Sequence, residues 1–91
     1  FKMYIIVIDG NEDRGAYSVA DENGENVLYI WESEDDAKRF CLMLEESGSP
    51  KMKEIEVDGD LLIESCMTNG YLYAIISSDD LVVPPEEHDL F

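Results

Sequence analysis

Basic residues are scarce in this chain. Six Lys and Arg stand against 22 Asp and Glu, for a formal net charge of -16 over 91 residues. The six are Lys2, Arg14, Lys38, Arg39, Lys51 and Lys53, so neither Lys nor Arg follows Glu54. No basic stripe is present to neutralise phosphates, which excludes direct nucleic-acid binding, and a field of this sign repels anionic membrane. Cysteine is scarce too. Cys41 and Cys66 lack zinc or redox spacing, and two thiols are too few for a disulfide framework. Long apolar runs are missing: none approaches the ~18 residues needed to insert across a membrane. The run Met3–Ile8 ends at Asp9-Gly10 and not at a small-residue cleavage site, so it reads as a strand and not a signal peptide. A reducing, cytoplasmic compartment is expected. Histidine occurs once, at His88 in an acidic setting, and there is no nucleophile–base pair or glycine-rich phosphate loop. The sequence therefore predicts no catalytic residue, no cofactor and no metal ligands, and points away from an enzyme.

What is present is enough apolar character to fold. Hydrophobic residues make up 45% of the chain, which argues against disorder despite the charge. A chain of this length supports one core, and residues 1–85 are expected to form one α+β domain, with 86–91 as an acidic, flexible tail.

The segment Lys2–Ile8 is β-branched and aromatic throughout, as suits a central strand covered on both faces. Residues 16–20 and 27–31 read as a hairpin about the turn signal Asn23-Gly24. Asp21–Asn26 is superficially like a calcium loop, but its glycine is fourth in the run and its flanks are strands, so a turn is the better reading. A first helix opens at Ser33, which can cap it, with Asp36 placed to answer in a capping box. Ala37, Phe40, Cys41 and Leu44 then recur on one helical face, and Gly48 and Pro50 end the element. Residues 52–57 give a fourth strand. Asp58 or Asp60 caps a second helix reaching Asn69, with Leu62, Ile63, Cys66 and Met67 as its core contacts and Gly70 as its stop. Residues 71–76 are the fifth strand. The order β-β-β-α-β-α-β predicts a ferredoxin-like variant sandwich, two helices on one face of a mainly antiparallel sheet.

Several segments together resemble a small domain family of unknown function found in cyanobacteria, plastids and cyanophages. They are Met3–Val7, Asn26–Leu28, Glu34–Phe40, Leu44-Glu45, Cys66–Tyr71 and Leu81–Glu86, in order along almost the whole chain. The resemblance implies no activity and no catalytic residues. Plant members are joined to other modules, chaperone-type ones among them, which implies an assembly or adaptor role. The acidity and small size look more like a phage copy acting on a host protein.

Two surface features are candidate partner sites. In the first, Trp31 stands beside Glu34, Asp35 and Asp36, an aromatic next to a charged rim that can anchor a contact. The competing and favoured reading makes Trp31 core and the acids a solvated helix start. In the second, Val82, Val83, Pro84, Pro85, Glu86 and Glu87 join an apolar pair to Pro-Pro and acids that could dock on a partner. The equal alternative is that the valines cover the domain's own sheet. Cys41 and Cys66 read as buried core thiols. The expectation is a non-enzymatic interaction module meeting a basic surface of a protein partner. The alternative is a nucleic-acid mimic that inhibits a host DNA- or RNA-binding protein, and this would require a regular row of carboxylates on one face; a third class, a small enzyme, would require a deep pocket holding a buried carboxylate.

Overall fold

The computed structural model describes residues 1–80, 82, 84 and 88–90. The strands are β1 (Lys2–Ile8), β2 (Tyr17–Ala20), β3 (Asn26–Trp31), β4 (Met52–Asp58), β5 (Leu72–Ile76) and β6 (His88–Leu90). The helices are α1 (Glu34–Glu46) and α2 (Gly59–Asn69), with a short 3-10 turn at Glu12–Arg14.

Local chemistry sets the ends of these elements. Ser33 Oγ accepts the Asp36 amide at 3.3 Å, which caps α1. Among the described residues the reciprocal bond from the Ser33 amide to Asp36 is not made, and the Asp36 carboxylate accepts from Arg39 at 3.0 Å. Asp58 caps α2 by accepting from the Leu61 amide at 3.2 Å. Gly70 closes α2 in the left-handed conformation, φ 72°, and lets the Tyr71 amide reach the Cys66 carbonyl at 2.9 Å. In the β2–β3 turn, the Asp21 carboxylate accepts from the Asn23 and Glu25 amides, each at 2.9 Å.

β1 is central. One edge pairs antiparallel with all of β4, and the other meets β3 at Tyr4–Trp31. β3 pairs antiparallel with β2 over Asn26–Leu28 and parallel with β5 over Val27–Trp31. Residues 27 and 28 pair with β2 and β5 at once, so those strands lie on opposite edges of β3. β2 thus shares an edge of β3 with β1, and a Val7–Ala16 bridge joins the two. Where a flexible end is expected, His88–Leu90 pair antiparallel with β2 as β6.

The architecture is α+β, two helices on a mainly antiparallel sheet with a variant strand order, as the sequence predicts. The helix placement is more particular than one shared face. Ile6, Tyr29, Trp31, Ala74 and Ile76 pack with Ala37, Phe40, Cys41 and Leu44 of α1. Met3, Ile5, Leu28, Ile30 and Tyr73 pack with Leu62, Ile63 and Cys66 of α2. These sets alternate along β1, β3 and β5, and successive strand residues point to opposite faces. Each helix therefore has its own face. The cause is the handedness of the connections. β3, β4 and β5 all run the same way, so β3–α1–β4 and β4–α2–β5 are parallel crossovers. They cross the sheet in opposite directions, and two right-handed crossovers of opposite direction put their helices on opposite sides.

Candidate functional site

Trp31 is core. It is 3% exposed, with its ring 5.0 Å from Phe40 and 6.2 Å from Tyr29. Its indole nitrogen is buried with no hydrogen-bond partner among the described residues. The candidate pairing of an exposed indole with the acids of the helix start is therefore not made: Trp31 lies on the face of β3 that α1 covers, while Glu34 and Asp35 stay exposed. Asp36 is bound to Arg39, and Glu34 lies 4.0 Å from Lys38. Of the second candidate, Val82 and Pro84 are half-buried, and Val82 packs against the α1-side core. That contact turns Val82 toward its own domain. Val83, Pro85, Glu86 and Glu87 lie outside the described residues.

The thiols are buried and belong to opposite faces, Cys41 with α1 and Cys66 with α2. The sheet between them rules out a mutual disulfide. Burial, then the charges of Glu54 and Glu45, push the Cys41 thiol up to about 12. Burial also raises Cys66. Both are poor nucleophiles in the folded protein. Among the described residues no group of three or more His, Cys, Asp and Glu side chains is placed to hold a metal ion. Among the same residues no helix is long and apolar enough to cross a membrane.

The bases are matched close to home. Lys2 meets Glu56, Lys38 meets Glu34 and Glu54, Lys51 meets Asp9, and Lys53 meets Asp9 and Glu12. The contact with Lys53 pulls the Glu12 carboxyl below its ordinary range. All of these pairs lie around β1, β4, α1 and the 3-10 turn. The side built by α2 and β5 has no Lys or Arg at all.

That side carries a surface that the pattern of residues did not single out. Tyr71 is 51% exposed, Leu72 41% and Ile75 42%. All three lie in or just before β5, which pairs only with β3 among the described residues. No charged residue occurs from Ser65 to Ser78. The opposite edge strand, β4, is different: it carries Lys53, Glu54, Glu56 and Asp58, which discourage pairing with another chain. The signal that could have found the β5 edge is the charge-free stretch itself. Its apolar run reads as core until the sheet order shows that it is an edge.

A family model described as a domain of unknown function, DUF3110, matches residues 3–86. The chain belongs to the DUF3110 family. No curated protein and no solved structure matches it. The DUF3110 match runs from β1 through β5 and so takes in the α1 start, the buried Trp31 and the open β5 edge alike.

Proposed function

We propose that this DUF3110 domain is a non-enzymatic protein-interaction module or adaptor that docks on a basic surface of a partner protein. One observation carries the reading: a chain of net charge -16 exposes an uncharged apolar strand, β5, on the side that has no bases. Long-range attraction would steer a basic partner in, and the apolar strand would then anchor it. The exposed Glu34 and Asp35 at the start of α1 add to the steering field. The ordered segments quoted above support an origin in a cyanobacterium or its phage, with the module acting in the cytoplasm on a host protein.

The described acids are divided among α1 on one face, α2 on the other, the β4 edge and the turns. A mimic of duplex nucleic acid calls for a regular row on one face, so this distribution supports the interaction module over the mimic. The test is a pull-down of the tagged protein from cyanobacterial lysate at low and moderate salt, with mass spectrometry of the eluate. One dominant partner, lost as salt rises, is the expected result. Recovery of only abundant basic proteins, with no dominant species, would overturn the reading. A partner that DNA displaces in competition would move it to the mimic.

A further inference from the structure

We propose that the free edge of β5 takes an extended segment of a partner protein as an added strand, and that this segment is apolar at its centre with Lys or Arg at both ends. The proposal rests on the interaction-module reading and gives it a site, a binding mode and a partner chemistry.

Among the described residues, Tyr73 and Ile75 have backbone groups left for such a strand. The Ile76 carbonyl accepts from the Glu32 amide at 3.0 Å, so Ile76 turns its polar groups toward β3. Successive residues of a strand turn their N–H and C=O to opposite edges. Leu72 and Ala74 therefore face β3 with Ile76, and Tyr73 and Ile75 present their N–H and C=O outward. The next outward amide, Ser77, is already taken: it donates to the Asp80 carboxylate at 2.8 Å. Asp80 thus closes the far end of the edge and leaves a short stretch centred on Tyr73 and Ile75. An uncharged, partly apolar edge with free ladder groups is a template for strand addition.

Charge selects the occupant. The β3 register places Glu25 beyond the Leu72 end of the edge and Glu32 beyond the Ile76 end, where Asp79 and Asp80 also follow β5 in the chain. An antiparallel second copy would set these acids against one another at both ends, in a protein that already carries -16. A segment with an apolar centre and basic ends meets uncharged side chains in the middle and carboxylates at each end.

The probe is the synthetic peptide Lys-Arg-Val-Thr-Val-Thr-Val-Arg-Lys, titrated into the isotope-labelled full chain in physiological salt and followed by amide NMR and hydrogen exchange. The expected result is that the Tyr73 and Ile75 amides shift and become protected, while β4 amides do not. The same peptide with its internal amides N-methylated keeps every charge and side chain but cannot donate. It should bind at least about tenfold more weakly, as loss of two main-chain hydrogen bonds implies. Ile75→Lys, at a position 42% exposed and so compatible with the fold, should weaken the parent peptide by a similar factor of about ten through like-charge repulsion. Equal binding of the methylated peptide, with shifts spread over the acids of α1 and β4, would overturn strand addition and leave a charge-driven module. No binding would overturn the site, while the pull-down would still decide the module. A peptide-free dimer with Tyr73 and Ile75 already protected would assign the edge to a second copy.

Discussion

Gly59 opens α2 directly against Met3 of β1: a Cβ built on Gly59 would stand 2.7 Å from Met3 Cγ and 2.8 Å from Sδ. Met3 is 1% exposed and cannot swing clear. The helix therefore starts where only a hydrogen fits, and this close approach seats α2 on its face of the sheet.

Gly59→Ala should destabilise the protein by about 1–3 kcal/mol through overpacking, which outweighs the ~1 kcal/mol at most gained in helix propensity. Met3→Ala should cost about 2–5 kcal/mol alone. In the double variant the two losses should sum to less than additive, because the second change removes what the first one strikes. Urea denaturation of all four proteins tests this, and strict additivity would remove the clash as the cause.

Phe40 is fully buried, its ring 5.0 Å from Trp31 and 5.4 Å from Tyr17. Phe40→Ala should cost about 3–5 kcal/mol, a large part of the roughly 5–15 kcal/mol available to a small domain. The fluorescence of Trp31, the single tryptophan, should shift to the red as its packing loosens. Leu42→Ala, on the exposed side of the same helix, should stay within about 0.5 kcal/mol.

Alkaline pH should weaken the fold. The Cys41 thiol moves from its ordinary 9.0 in the open chain to about 12 in the folded one. A raised thiol means that the unfolded state loses its proton first. This contribution is thus intact below pH 9 and is lost progressively as pH climbs from 9 toward 12. Burial raises Tyr17 and Tyr29 in the same direction. Thermal melts across this range should fall, and Cys41→Ala should flatten the fall. An identical slope in the variant would acquit the thiol.

Salt should stabilise the protein. At 0.01 M ionic strength the screening length is about 30 Å, so charges across the whole molecule repel one another. The radius of gyration is only 12.2 Å. At 1 M the length falls to about 3 Å and only close pairs survive. The melting temperature should therefore rise by several degrees from dilute to concentrated sodium chloride, as at least 1 kcal/mol of relieved repulsion implies for a domain of this size. A flat or falling profile would mean that the local ion pairs of Lys38, Lys53 and Arg39 outweigh the net charge.

Much of the fold was legible residue by residue. The period of Ala37, Phe40, Cys41 and Leu44 named the buried face of α1, because a helical stripe must face a core. Ser33, Asp58 and Gly70 marked helix ends, because caps answer local hydrogen-bond needs. Met67, which the sequence places in the core, is 70% exposed. α2 has a weak polar–apolar division, so its sequence does not tell which flank meets the sheet. The sites were less legible than the fold. Trp31 beside three acids is a pattern in sequence only, since α1 covers the face of β3 on which the indole lies. The β5 edge is not legible in the sequence, because an apolar strand reads the same whether it lies at the centre or the rim of a sheet.

The sequence by itself determined the elements, their ends, the acidity and the lack of bases after Glu54, since each depends on residues close together in the chain or on a simple sum of charge. Only the tertiary structure decided that α1 and α2 take opposite faces, that Cys41 and Cys66 lie across a sheet, and that β4 and β5 each pair on one side only among the described residues. Those facts follow from strand order and crossover handedness, which join residues distant in sequence and leave no mark on any single segment.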